Sequence, residues 1–310
     1  MSDTLKLGLV GYGKIAHDQH VPAIAGTPGI ELVAVASRNA RAEGLRNYSS
    51  LEDMLEGDPD LDAIILCQPP QARHIAARTA LLAGKHVFLE KPPGATVSEV
   101  EDLIAVAADR NVTLFASWHS RYAAGVAQAK AWIAQRSAVT RGEISWKEDV
   151  RHWHPGQNWI WEAGGFGVFD PGINALSILT EILPERVVLR AALLETPGNR
   201  HAPIAAQLSM TTVSGAPVAA TFDWRQTGPQ TWDIVVEADG HSLCLSHGGN
   251  TLTIDGVVQE DAADAEYPAM YRHFAALVKD GRSDVDTAPL HLVADAFLLG
   301  RNQLVEDFED

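Results

Sequence analysis

The stretch LKLGLVGYGKIA, residues 5 to 16, constrains the fold more than any other part of the chain. A short apolar run ends in Gly11, Gly13 and Ala16, the G-x-G-x-x-A spacing of a dinucleotide-binding turn. Each small residue answers a steric demand. Gly11 permits the tight turn, Gly13 lets the backbone approach a pyrophosphate, and Ala16 lets the next helix lie close on the sheet with its free N–H groups toward the phosphates. Glycine-rich turns are common, so the context decides. An apolar strand precedes, a helical stretch from Lys14 to Ala25 follows, and a second apolar strand, IELVAVA, comes next. Gly11, Gly13, Lys14 and Ile15 are therefore the expected cofactor contacts at this turn.

The alternation continues. DAIILC (62–67), HVFLE (86–90) and VTLFAS (112–117) read as strands, and QARHIAARTALLAG (71–84) and TVSEVEDLIAVAADR (96–110) as helices, the latter opened by a Thr96/Glu99 capping box. Alternating helices and fully apolar strands predict an α/β, doubly wound parallel sheet of the Rossmann type over residues 1–121. Ligands of such a sheet sit beyond the carboxyl ends of its strands. Lys91 follows one of those ends in EKPP, held toward extended geometry by Pro92, and Ser37 and Arg38 follow another. An acid at the latter place would bind a ribose 2′-OH, whereas a hydroxyl and a guanidinium suit a 2′-phosphate, so NADP is expected, with NAD as the alternative.

From residue 122 to 310 the rhythm changes. A helix leads to the strand GEISWKEDV, to a loop rich in tryptophan and glycine, and to a helix starting near Pro171. Strands follow near 186–194, 203–213, 217–225, 231–237 and 242–246, then two helices that can pack back on the first domain. This predicts an α+β domain with an open, mostly antiparallel sheet. A sheet with helices on one face leaves the other to be covered, which points to a homo-oligomer, a dimer in the simplest case.

Composition closes several alternatives. The formal net charge of −16 repels nucleic acid and acidic membrane surfaces, and no apolar run approaches the ~20 residues of a membrane helix. Cys67 and Cys244 are far apart, which argues against a disulfide scaffold or zinc knuckle, and no metal site is expected. MSDTLKLGLV carries no secretory pattern, so a cytoplasmic location is expected.

Several residues are candidates for chemistry. Asp170 and Asn174 in FDPGINALSIL are spaced to face one ligand from a single helix, although Asp before Pro also reads as an N-cap. His119 follows a strand on its carboxyl side, and EDVRHWHP concentrates Glu148, Asp149, His152, Trp153 and His154. Trp153, Trp159, Trp161 and Trp232 border polar segments, as aromatic faces do that stack on sugars, and as tryptophans do that simply fill a core.

Taken together, G-x-G-x-x-A, E-K-P and D-x-G-x-N resemble the Gfo/Idh/MocA oxidoreductases over the whole chain. WKEDVRHWHPGQNWIWEAGGFGVFDPGINALSIL resembles very closely their bacterial branch of L-arabinose and D-galactose 1-dehydrogenases. The resemblance implies oxidation of the anomeric carbon of an aldopyranose (L-arabinose, D-galactose or D-fucose) to the lactone, with hydride passed to NAD(P)+; the alternatives are a D-xylose or D-glucose 1-dehydrogenase, another carbonyl reductase of the fold, or a non-catalytic NADP-binding sensor. It implies that Glu90 and Lys91 serve the cofactor, that Lys91, Asp170 and Asn174 are catalytic, and that His119, Glu148, Trp153, His154 and Trp232 line the sugar pocket. The wider family usually ends D-x-G-x-H in a histidine that acts as acid and base; Asn174 cannot. The proton then falls to Lys91, whose ammonium gives it up more readily beside a nicotinamide cation and away from water, with the two histidines as rivals.

Overall fold

The computed structural model describes residues 4–309. They form two compact units, each discontinuous in sequence. Residues up to His119 join Tyr267–Thr287 in the first, and Ser120–Glu266 joins the residues from Ala288 onward in the second.

The first unit is built on six parallel strands: β1 (Leu5–Val10), β2 (Ile30–Ala36), β3 (Arg46–Tyr48), β4 (Ala63–Leu66), β5 (His86–Glu90) and β6 (Leu114–Ser117). Their order in the sheet is β3-β2-β1-β4-β5-β6, so the winding reverses at β1 and β4. That reversal opens the crevice in which such sheets bind nucleotides. Helices on both faces leave Leu7, Leu9, Ile64, Ile65, Val87, Phe88 and Leu89 without exposed surface, which is why these strands read as unbroken apolar runs. The three residues of β3 carry no such run and escaped the sequence reading. The helix after β1 contains a π-helical turn, Ala16–His20, before it continues as Val21–Ala25. The capping box at Thr96 and Glu99 is present, and the helix it opens closes at Asn111 in the left-handed region.

The segment 267–287 completes this unit through aromatic packing. Phe274, fully buried, stacks on Phe115 of β6 (6.0 Å between centroids) and meets Phe88 of β5 edge-on (5.5 Å), while Tyr271 stacks on Phe88 at 5.1 Å.

The second unit carries nine strands: β7 (Val139–Lys147), β8 (Val187–Pro197), β9 (Ala205–Thr212), β10 (Pro217–Asp223), β11 (Thr231–Ala238), β12 (His241–Ser246), β13 (Thr251–Ile254), β14 (Val257–Asp261) and β15 (Arg301–Val305). The order is β14-β13-β12-β11-β7-β10-β9-β8-β15. Only the β7/β10 and β15/β8 pairs are parallel. Ile144, Trp146, Leu208, Phe222, Ile234 and Val236 alternate onto the buried face, packed with the helix Phe169–Ile182. Two local expectations change. Strand β7 ends at Lys147, and Asp149 caps a short helix, Val150–Trp153, so the following histidines are not on a strand. The long helix begins at Phe169 behind Val168, so Asp170 lies inside its first turn and is not the N-cap.

Replacing Phe274 by alanine removes a ring packed on two others, and is expected to lower the unfolding free energy by about 3–5 kcal/mol in urea titrations.

Candidate active site

In the first unit the turn after β1 has the shape that the sequence requires. Gly11 has φ +92°, and a Cβ there would lie 2.9 Å from the backbone nitrogen of Gln68 at the end of β4. Over Gly13 the space is open, with nothing within 4 Å of where a Cβ would stand. Next to Gly11 in space, the buried Gln68 Oε1 has no hydrogen-bond partner among the described residues. Ile15 is exposed, and the exposed Lys14 pairs with Asp18 one turn on. Beyond β2, Ser37, Arg38, Asn39, Ala40, Arg41, Tyr48 and Ser49 line an open cavity of about 330 Å³, with two arginines and no acidic residue in its lining. An open glycine turn, an acceptor left for a hydroxyl or amide donor, and a cavity lined by arginines fit a dinucleotide.

At the end of β5 the half-buried Lys91 is joined to Pro92 by a cis peptide bond, and its N–H donates to Glu90 Oε2 at 2.6 Å. Glu90 is 3% exposed. Its Oε1 accepts from the Tyr267 hydroxyl at 2.7 Å and lies 3.3 Å from His20 Nε2, whose Nδ1 is 2.6 Å from the Tyr271 hydroxyl. Both oxygens of Glu90 are thus engaged by protein groups. His119, just past β6, lies nearly parallel to the Tyr267 ring at 5.5 Å.

Protonation of this cluster follows from its partners. Burial alone lowers the pKa of His20, but the Cys67 sulfur and the Glu90 carboxylate outweigh it and carry the value from 6.5 up to about 9. Burial raises that of Glu90, and His20 with the more distant His119 and Lys91 brings it from 4.5 down to about 2. Tyr271 is pushed well above its ordinary range by burial and by the neighbouring negative groups.

The second unit contains a row of polar side chains. Glu148, 4% exposed, follows β7; its Oε1 accepts from Trp224 Nε1 (3.3 Å) and its Oε2 from Trp232 Nε1 (3.0 Å). His154 stands between two carboxylates, its Nε2 3.5 Å from Glu148 Oε1 and its Nδ1 3.7 Å from Asp170 Oδ2. Neither distance is a hydrogen bond, and the buried Nδ1 has no hydrogen-bond partner among the described residues. Asn174, half-buried, follows Asp170 by one helical turn. Trp153 is 41% exposed and leans on Trp232, with ring centroids 5.3 Å apart. Gly167 (φ +53°) brings the chain so close to the Pro203 carbonyl that a side chain has no room, and the Asp170 N–H then bonds the Gly167 carbonyl at 2.9 Å. Carboxylates and an imidazole beside indole faces form a surface suited to a polyhydroxylated ring: acceptors and a switchable donor for hydroxyls, flat apolar walls for C–H groups.

The structure therefore gathers Glu148, Trp153, His154, Asp170 and Trp232 in one unit, with Asn174 on the next helical turn. Lys91, His119 and the nucleotide residues belong to the other. Trp224, His20, Tyr267, Tyr271 and Arg41 were missed as site residues. Trp224 and His20 find partners 76 and 70 residues away, so no local signal marks them. Tyr267 and Tyr271 do leave a trace, as hydroxyl-bearing rings at i and i+4 on an apolar helix face. Among the described residues no helix is long and apolar enough to cross a membrane.

Residues 5–117 match the model of the oxidoreductase family with an NAD-binding Rossmann fold, Gfo/Idh/MocA. Over 306 residues, 99% of each chain, the sequence is 46% identical to the galactose 1-dehydrogenase of Pseudomonas fluorescens. The chain belongs to the Gfo/Idh/MocA oxidoreductase family. The crystal structure of a D-galactose-1-dehydrogenase protein from Rhizobium etli is similar throughout, with a TM-score of 0.95, 56% identity and coverage of 100% and 99% of the two chains. A 3-ketoreductase from Actinomadura kijaniata, in complex with TDP-benzene and NADP, shares the fold at 20% identity (TM-score 0.85, covering 97% of this chain and 99% of that one).

The pair of His20 and Glu90 makes stability depend on pH. A raised histidine contributes fully below pH 6.5 and loses its contribution as pH rises through about 9. A depressed carboxylate contributes fully above pH 4.5 and loses it as pH falls through about 2. Thermal melts are expected to show a decline between pH 6.5 and 9 that His20→Gln flattens; an unchanged decline in the variant would remove His20 as its source.

Proposed function

We propose that this oxidoreductase oxidises the anomeric carbon of an aldopyranose to the aldonolactone, with D-galactose and L-arabinose as substrates and D-fucose as a third. The observation that carries this reading is the Glu148–His154–Asp170 row beside the indoles of Trp224 and Trp232. It occurs in a chain 46% identical over its length to a galactose 1-dehydrogenase. L-Arabinopyranose is D-galactopyranose without the exocyclic CH2OH, so groups that read the shared ring hydroxyls accept both. A hydroxyl of wrong orientation strands a buried carboxylate or imidazole, which costs more than a lost methylene contact.

In this reading the bound nicotinamide supplies the hydride acceptor, and the chain's own residues do the rest. Lys91, whose backbone is held by Glu90, takes the proton of the anomeric hydroxyl, since Asn174 cannot. Asp170 and Asn174 orient that hydroxyl and its neighbour. Glu148 and His154 bind the remaining hydroxyls, and Trp153 and Trp232 cover the ring's C–H face. Arg38 and Arg41 seat a ribose 2′-phosphate, which favours NADP over NAD. A homodimer through the outer face of the nine-stranded sheet belongs to the same reading.

Initial rates on an aldose panel test it. D-Galactose and L-arabinose are expected to turn over, and their C4 epimers D-glucose and D-xylose to be at least ~100-fold poorer in kcat/KM. Lys91→Ala should lower kcat by about 10²–10⁴. Failure of every aldose to reduce either nucleotide would sink the assignment. Arg41→Ala is expected to cut the preference for NADP+ over NAD+ by roughly tenfold, through a higher KM for NADP+ alone; an equal effect on both nucleotides would place Arg41 elsewhere.

A further inference from the structure

Arg73 belongs to neither the nucleotide turn nor the polar row, yet its guanidinium is buried at the end of β5. It sits in the first turn of the helix Pro70–Leu82 and is 2% exposed. Nη1 donates to the carbonyl of Glu90 at 2.5 Å and to the carbonyl of Pro92, the residues on either side of Lys91. Nη2 donates to the carbonyl of Gln68. Gln68 is also the residue whose backbone nitrogen would stand 2.9 Å from a Cβ at Gly11. One cation thus joins the end of β4, where the nucleotide turn presses, to both flanks of the lysine. Its planar fork reaches three carbonyls at fixed angles, which a lysine ammonium on a flexible stem does not reproduce.

We propose that Arg73 is the positioning residue of Lys91, fixing the backbone of the lysine against the dinucleotide turn so that the chemical step depends on a side chain that touches neither substrate nor cofactor. The proposal rests on the role given to Lys91 above. A displacement of about 1 Å at a reacting group costs on the order of 100-fold in rate. Loss of the fork therefore falls on chemistry more than on binding.

The test uses full-length Arg73→Gln and Arg73→Lys with three readouts. The first is kcat and the KM for sugar, beside the Kd for NADP+ by calorimetry. The second is the primary deuterium isotope effect on kcat with aldose labelled at C1, which does not change with the fraction of protein that is folded. The third is amide hydrogen exchange of the peptides spanning 66–69 and 86–96. Expected are a kcat lowered roughly 10- to 100-fold in Arg73→Gln and less in Arg73→Lys, KM and Kd within about threefold of wild type, an isotope effect larger than wild type, and faster exchange confined to the two peptides. A lower melting temperature with an unchanged isotope effect, or failure of both variants to fold, would make Arg73 a residue of stability alone and overturn the proposal. If the wild-type protein turns over no aldose, the substrate assignment fails, whereas the exchange readout still decides whether Arg73 clamps the lysine segment.

Discussion

Glu90 is a carboxylate taken out of water at the carboxyl end of β5, and its need for partners organises the first unit. An ionised acid at that depth is tolerable only when donors surround it. They come from three parts of the chain: His20 from the π turn after the first strand, Tyr267 from the returning segment 267–287, and the amide of Lys91 itself. The cost of burying the charge is offset by bonds that also fix where Lys91 begins. Arg73 answers from the other side with a buried cation on the neighbouring carbonyls. The fold and the Lys91 segment are in this way held by the same few interactions.

The second unit uses a comparable device with different parts. Glu148 is buried at the end of a strand, and two indole N–H groups from the next stretches of sheet satisfy it. The carboxylate and an apolar wall are therefore joined: the Trp232 indole that bonds Glu148 also packs against the exposed ring of Trp153, while Trp224 is wholly buried. His154 stands close to both Glu148 and Asp170 without bonding either, which leaves its ring able to serve a ligand hydroxyl.

Much of this was legible in the sequence, for physical reasons. Strands covered on both faces must be apolar throughout, so β1, β2, β4, β5 and β6 stood out, while β3, half-exposed and three residues long, did not. The edge strands β14 and β15 are short and largely exposed, and β13 beside β14 has only four residues, so none carries an alternation to read. The position of Lys91 just past β5 was legible because a strand end is a place in the fold as well as in the sequence. Asp170 was ambiguous between a cap and a site, and the start of its helix is set by the tight approach of Gly167 to Pro203, a contact that no local pattern encodes. Trp224, His20 and Arg73 act through partners that only the folded chain brings near.

The central claim is that a hydride leaves the anomeric carbon of a sugar for the nicotinamide. Incubation with NADP+ and D-galactose deuterated at C1, followed by NMR of both products, addresses it directly. The account predicts one deuterium at C4 of each reduced nicotinamide, with galactonolactone or its acid formed in equal amount. Reduced nucleotide with two protiums and no deuterium at C4, or a sugar product still deuterated at C1, would contradict it.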